Sequence, residues 1–287
     1  MDVGFGAFLS AAPGKDPAQA AEHAESLGFE MVTVFDHLHG RSPSVEPWTL
    51  LTWVAARTER VRVGTNVLGL PFRHPAVLAK MAETLDRLSG GRLVLGLGAG
   101  SGGDEFRAFG LAERSPGEKV EALEEALRII RGLWTEGPFT LEGRHFTVRE
   151  ARIEPRPGHP IPIWFGVYGD RMLEVLGRYA DGWIPSFFFL PPEGAFEKLQ
   201  RLRAAAEAVG RDPDALTYAY NVWTRVDESA RPKKGQVAGA PEQIAETLAG
   251  FVRGGFGFLN LSSEGDPVEQ RERLAKEVIP LVREAAA

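Results

Sequence analysis

Eight short apolar runs of strand length alternate along this chain with eight segments of helical character, and that alternation leaves few folds open. The strand-like runs are residues 3–9, 29–35, 61–67, 92–98, 161–165, 182–186, 216–223 and 257–261. Helices are predicted over 17–27, 47–58, 75–88, 115–134, 170–179, 193–209, 241–253 and 267–283. Asp16 followed by Pro17 is a cap and first-turn pair. Val120, Leu123, Leu127, Ile130 and Trp134 recur at the spacing of one helical face. Strand followed by helix, repeated, builds a parallel sheet. No composition break divides the 287 residues, so 1–287 reads as a single domain. The expected fold is α/β, a (β/α)8 TIM barrel with an insertion after the fourth helix. A doubly wound open sheet is the alternative. The insertion is 137–160, where Phe139, Leu141, Phe146 and Val148 sit between turn-rich pieces and predict a small hairpin. Residues 227–238, with Arg231, Lys233 and Lys234, read as a polar surface loop.

Composition removes several function classes. There is no cysteine, which excludes disulfides, thiolate metal sites and cysteine nucleophiles. The six histidines form no HExxH pattern, so no metal site is expected. The formal charge is −6 and no basic run is present, so nucleic acid is not an expected partner. No apolar run approaches membrane-spanning length, no secretory segment is recognised at the start, and the cytoplasm is the expected location.

In a barrel, the C-terminal strand ends and the loops beyond them carry the chemistry. The stretch from Arg92 to Gly100 is a buried-type strand ending in Gly96, Gly98 and Gly100, which lets backbone approach a ligand closely. The spacing is not a dinucleotide fingerprint. Ser101 follows and offers a hydroxyl. Asp104 and Glu105 read as loop or helix-start residues more than as catalytic acids. Asp36-His37 ends the second strand; the pair either orients an imidazole over a ligand or caps its own loop. His37 is the better catalytic candidate, and His39 lies farther along the loop. Asn66, with Val67 at the third strand end, can offer an amide donor and acceptor to a heterocycle or can cap its own loop. Arg73 and His74 read most simply as a tie between loop and helix. Gly166 to Met172 opens a helix, where free N–H groups suit a phosphate. Arg171 adds charge there and Asp170 opposes it. Asp181 before Trp183 reads as structural. Phe187 to Leu190 either lines an apolar substrate space or belongs to the core.

These pieces, taken in order, resemble the luciferase-like monooxygenase superfamily, the flavin and deazaflavin oxidoreductases related to bacterial luciferase. The matching segments include Phe35-Asp36-His37, Gly64-Thr65-Asn66-Val67, Arg73-His74-Pro75-Ala76 and Asp86-Arg87-Leu88-Ser89-Gly90-Gly91-Arg92. They continue through Leu95 to Gly100, Gly143-Arg144-His145-Phe146, Tyr179-Ala180-Asp181-Gly182-Trp183 and Gly239-Ala240-Pro241-Glu242. The resemblance covers nearly the whole chain and sits nearer the smaller deazaflavin-linked members. It implies a TIM barrel binding coenzyme F420 or FMN, with the ring at the barrel mouth. On this resemblance Asp36 is a ring-pocket residue that also belongs to the catalytic pair, and His37 is the catalytic histidine. Asn66-Val67 is the bulge under the ring, often a non-proline cis peptide. Gly98, Ala99, Gly100 and Ser101 form the cofactor turn; Tyr168, Gly169, Asp170 and Arg171 belong to the phosphate turn, with Tyr168 larger than usual. Some deazaflavin dehydrogenases carry a glutamate where this chain has Ser101, so sugar-phosphate chemistry does not transfer directly.

The resemblance implies hydride transfer to or from a small organic substrate, with His37 exchanging a proton. The alternative is a reduced-FMN monooxygenase served by a separate flavin reductase; a third reading is a nonenzymatic flavin-binding protein. A homodimer is the expected assembly.

Overall fold

The computed structural model describes residues 3–10, 15–41, 44–100 and 103–286. In chain order the first half comprises β1 (Gly4–Phe8), α1 (Pro17–Ser26), β2 (Met31–Val34), α2 (Pro47–Arg57), β3 (Arg62–Thr65), β4 (Leu68–Gly69), α3 (Pro75–Leu88), β5 (Leu93–Gly98), α4 (Gly103–Ala108) and α5 (Pro116–Thr135). After these come the hairpin strands β6 (Phe139–Glu142) and β7 (Thr147–Ala151), then β8 (Ile163–Phe165), α6 (Asp170–Tyr179), β9 (Gly182–Trp183) and α7 (Pro192–Glu207). The last elements are β10 (Thr217–Val226), β11 (Gln236–Gly239), α8 (Pro241–Arg253), β12 (Phe258–Ser263), α9 (Pro267–Arg273) and α10 (Ile279–Ala286).

The strands close in the parallel order β1, β2, β3, β5, β8, β9, β10, β12 and back to β1. This is the (β/α)8 barrel, and the antiparallel β6–β7 hairpin is the insertion after the long helix. The helices lay their apolar faces on the outside of the barrel. In α3 that face is Leu78, Ala79, Ala82 and Leu85, all buried. Each such leucine contributes about 2 kcal/mol by leaving water. Asp16 caps α1 by accepting from Ala18 N at 2.9 Å, and Ser115 with Glu118 forms a capping box on α5.

The turn Ser89-Gly90-Gly91-Arg92 has a local physical cause. Gly90 and Gly91 have φ of 72° and 85°, a region that favours glycine. The turn delivers Arg92 beneath α2, where its guanidinium donates to Ala55 O at 2.7 Å, Thr58 O at 3.0 Å and Val61 O at 2.9 Å. One side chain thereby satisfies carbonyls that the end of a helix leaves open.

The barrel interior is filled in layers, because alternate strand residues point inward. Arg62 lies lowest, its guanidinium 5.4 Å from the Phe258 ring and 5.9 Å from that of Trp164. Met31, Val94, Trp164, Ala219 and Phe258 form an apolar cluster with Ile184. One step higher the inward residues turn polar: Thr33, Asn66, Asn221 and Asn260. The cavity opens above them.

Three predicted elements differ in the structure. Residues 227–238 are not wholly loop, because β11 starts at Gln236 and pairs with the extension of β10 from Trp223 to Val226. Its polar start disguised it: Gln236 is buried with its amide donating to Glu264 at 3.0 Å. The strand predicted over 182–186 shortens to Gly182–Trp183, after which the chain returns only for a bridge between Ser186 and Asn221. The helix predicted over 267–283 is interrupted by a π turn at Leu274–Val278. Among the described residues, no helix is long and apolar enough to cross a membrane.

Candidate active site

The floor of the cavity is built by a one-residue irregularity. Gly64 pairs with Val94, yet Leu68 pairs with Leu97, so the third-strand edge carries one extra residue between them. The peptide Asn66-Val67 in that bulge is cis. Thr65 fills the broken ladder, its hydroxyl donating to Gly96 O at 2.8 Å and accepting from Gly96 N at 2.9 Å. The bulge turns Val67 inward over the apolar cluster, between three glycines. A Cβ would fall 3.2 Å from Val67 Cγ1 at Gly96, 2.8 Å from Cγ2 at Gly98 and 3.0 Å from Cγ2 at Gly166. Gly98 is thus first of all space for Val67, whereas Gly96 first clears the Thr65 carbonyl, 1.8 Å from where its Cβ would stand.

Beside Val67 runs a chain of amides. Asn66 Nδ2 donates to Asn221 Oδ1 at 2.6 Å, and Asn221 Nδ2 returns a bond to Asn66 Oδ1 at 3.1 Å. Asn260 Nδ2 donates to Asn221 Oδ1 at 2.8 Å and to Thr33 Oγ1 at 3.0 Å. Asn66 therefore keeps one N–H and one carbonyl lone pair for a ligand. Asn221 and Asn260 were missed in the sequence. The available signal was a lone polar residue at the inward position following Ala219 and Phe258.

The cavity has a volume of about 1070 Å³ and brings together His37, Asn66, Val67, Gly98, Ala99 and Gly100 with Tyr168, Gly169, Asp170 and Arg171. Ser101 lies outside the described residues. At the β2 end, His37 is half exposed and its Nδ1 meets Glu105 Oε1 at 2.6 Å. Glu105 sits on α4, its side chain only 12% exposed. The imidazole is held by this glutamate and lies 5.4 Å from the Phe35 ring, leaving Nε2 for a substrate. Asp36 does not orient it. The Asp36 carboxylate is fully buried, with Oδ2 accepting from Arg73 at 2.6 Å and from Gly69 N at 3.0 Å. Arg73 also donates to Glu46, the cap of α2, at 2.5 Å. Burial alone would pull the Arg73 guanidinium down, but bonds and charge from Asp36 and Glu46 hold it above its ordinary value. Arg73 is the predicted tie, and His74 caps α3 by accepting from Ala76 N at 3.2 Å.

At the opposite end two helices start together. Gly169 caps α6 without offering a side-chain acceptor, so first-turn N–H groups remain available. Arg171 Nη1 lies 3.7 Å from the place a Gly117 Cβ would take, at the first turn of α5. Lys119, on α5, lines the same end. Among the described residues neither cation has a carboxylate partner. Asp170 does not neutralise them: its carboxylate meets Lys198 at 2.7 Å and Arg201 at 3.0 Å, and these cations hold it below its usual range. Burial pushes the Tyr168 phenol up, partly offset by the bond its oxygen accepts from Ser186 N at 3.2 Å.

Of the phenylalanines after β9, only Phe189 lines the cavity, while Phe187 packs with Phe251 and Tyr220 and Phe188 points outward. Asp181 is structural, accepting from Ile163 N at 2.8 Å. His39 packs against Phe109. No group of acidic or histidine side chains able to hold a metal occurs among the described residues.

The arrangement has the parts a tricyclic redox ring with a phosphate tail needs. A flat apolar floor carries residual amide groups beside it, an anion seat lies at one end, and an imidazole stands at the other.

Comparison with known proteins agrees. Residues 5–233 match the family model for luciferase-like monooxygenases. An F420-dependent glucose-6-phosphate dehydrogenase of Kineococcus radiotolerans is 30% identical over 95% of this chain and 94% of that protein. A phthiodiolone/phenolphthiodiolone dimycocerosates ketoreductase of a Mycobacterium species is 40% identical over 62% of this chain and 47% of its own. An F420-dependent secondary alcohol dehydrogenase in complex with an F420-acetone adduct shares the fold, with TM-score 0.89, 22% identity and coverage of 99% and 100%. So does the coenzyme F420-dependent tetrahydromethanopterin reductase of Methanopyrus kandleri, with TM-score 0.82, 20% identity and coverage of 98% and 99%. Match and geometry together place this chain in the luciferase-like monooxygenase family of flavin- and deazaflavin-dependent oxidoreductases.

Proposed function

We propose that this chain is an F420-dependent oxidoreductase in which His37 exchanges a proton with the oxygen of a small organic substrate. The observation that carries this reading is the His37–Glu105 contact at one end of a cavity whose other end holds Arg171, Lys119 and the start of α6. When bound, the deazaflavin supplies a hydride donor or acceptor. Val67 and the glycines around it would support the ring, Asn66 would offer its amide to it, and the α6 N-terminus with Arg171 and Lys119 would hold the phosphate. His37 accepts the substrate hydroxyl proton through Nε2 during oxidation and returns it during reduction. Glu105 fixes the tautomer and stabilises the imidazolium as it forms. Asp36 and Arg73 hold the loop that carries His37.

The aromatic mouth, which keeps water from a reactive site, favours a second reading: oxygenation of an organic substrate with reduced FMN delivered by a separate reductase. Titration of the protein with F420 and with FMN, each oxidised and reduced, separates the two. Preference for F420 and oxygen-independent turnover support hydride transfer. Preference for reduced FMN with substrate-dependent oxygen uptake supports oxygenation, and binding of neither cofactor defeats both. Trp53 on α2 and Val77 and Leu88 on α3 are exposed apolar side chains that support pairing of two copies, a state sedimentation equilibrium measures directly.

A further inference from the structure

The two ends of the cavity carry opposite charge, and only one of them is built for an anion. At the His37 end the described lining carries the carboxylates of Asp36 and Glu105, and Arg73, just behind, is committed to Asp36 and Glu46. At the α6 end the uncommitted cations are Lys119 and Arg171. Among the described residues that line the cavity, Lys119 and Arg171 are the only lysine or arginine, so near His37 the described lining opposes a phosphate or carboxylate.

The surface that does face this space is aromatic. Phe8 stacks on Phe35 at 5.1 Å, and Phe35 leans on His37. Phe72 meets Phe106 edge-on at 5.1 Å. Phe189, 70% exposed, closes the far side against Tyr168 at 6.1 Å. Glycine makes room for this wall: a Cβ would fall 2.9 Å from Phe72 at Gly69 and 2.8 Å from Phe106 at Gly100.

We infer that the substrate served by His37 is a neutral, apolar alcohol or the matching carbonyl compound, and not a phosphorylated sugar of the kind named for the Kineococcus relative. The inference rests on the hydride-transfer reading and adds to it the class of molecule. The hydrocarbon flanks of such a substrate fill the aromatic wall, and its single oxygen meets His37 Nε2. A sugar phosphate would leave a desolvated dianion beside Asp36 and Glu105.

The test is isothermal titration of the full-length protein, F420-loaded and cofactor-free, with acetophenone and separately with glucose 6-phosphate. F420 affinity is followed independently by fluorescence quenching. Expected are acetophenone binding at least about tenfold tighter than glucose 6-phosphate, insensitivity of that binding to salt, and weakening by about tenfold in Phe189→Ser with unchanged F420 affinity. Phe72→Ser, at a partly exposed ring, is the second variant and should behave likewise. Glucose 6-phosphate binding equal or tighter, binding of neither probe, or indifference of acetophenone to both substitutions overturns the inference. Failure of F420 to bind defeats the hydride-transfer reading instead, and the comparison of the two probes on the cofactor-free protein still decides the substrate class.

Discussion

Gly96 is the residue at which the floor of the site is most exposed to a single added methyl group. A Cβ there would stand 1.8 Å from Thr65 O, a backbone atom of the neighbouring strand that cannot swing away. Relief requires β3 and β5 to part by roughly 1 Å, an overpacking that costs about 1–3 kcal/mol on its own. The parting also breaks the two bonds between Thr65 Oγ1 and the Gly96 backbone, at about 1 kcal/mol each. Gly96→Ala should therefore lose about 4 kcal/mol, and for a chain of this length a melting temperature lower by roughly 8 °C. Gly98→Ala differs in kind. Its Cβ would meet a side-chain methyl, Val67 Cγ2 at 2.8 Å, which can shift upward. That variant should lose only about 1 kcal/mol while weakening cofactor binding about tenfold, because the displaced valine rises into the ring's place. Gly158→Ala, with no atom within 4 Å of its Cβ, is the control. Circular-dichroism melts and a fluorescence titration with F420 read both quantities. A Gly96→Ala protein melting within about 2 °C of the parent would refute the account of the floor.

Four further outcomes follow from the geometry. His37→Asn should lower kcat by at least about 100-fold while F420 affinity stays within about twofold, read by steady-state kinetics beside fluorescence titration. Glu105→Gln should lower kcat about tenfold with substrate KM and F420 affinity each within about twofold of the parent, since the imidazole loses the contact that orients it; an unchanged kcat would deny the glutamate its positioning role. Arg73→Ala strands the buried Asp36 carboxylate and should cost about 3–5 kcal/mol in urea unfolding, partly recovered in Arg73→Ala/Asp36→Asn. Glu25 accepts from the backbone N–H groups of Glu59, Arg60 and Val61. Burial pushes its carboxyl up, and those donors more than reverse this, leaving it below the ordinary 4.5. Its stabilising contribution is thus present above that pH and lost as pH falls through the depressed value. Glu25→Gln should flatten the acid limb of a stability-versus-pH curve measured between about pH 5 and 3.

The barrel was legible because its evidence is periodic. Strand and helix repeat with proline or a cap at nearly every helix start, and the closed parallel sheet follows from that rhythm. Residues adjoining a strand end, such as His37 and Asn66, were legible for the same reason: barrel geometry sends them to the mouth. What escaped was set by tertiary partners. Glu105 could not be matched to His37 because 68 positions separate them and α4 had no periodic signature of its own. Asn221 and Asn260 lie on different strands, and only closure of the sheet brings their amides together. Asp36 was legible as a pocket residue, which lines the cavity, but its partner was not, since Arg73 lies 37 positions away. The objection that Asp170 would repel an anion dissolved only when α7 supplied Lys198 and Arg201.

The opposed charge at the two ends of the cavity also sets how the site assembles in time. A cofactor carrying a negative tail enters a field that draws the tail toward α6 and turns the ring toward His37 before any contact forms. Its association rate should therefore fall as salt rises, within the range where screening lengths match the cavity. A neutral substrate feels no such pull and enters by diffusion and desolvation alone, at a rate indifferent to salt. Orientation of the cofactor is then set by electrostatics and needs no moving part.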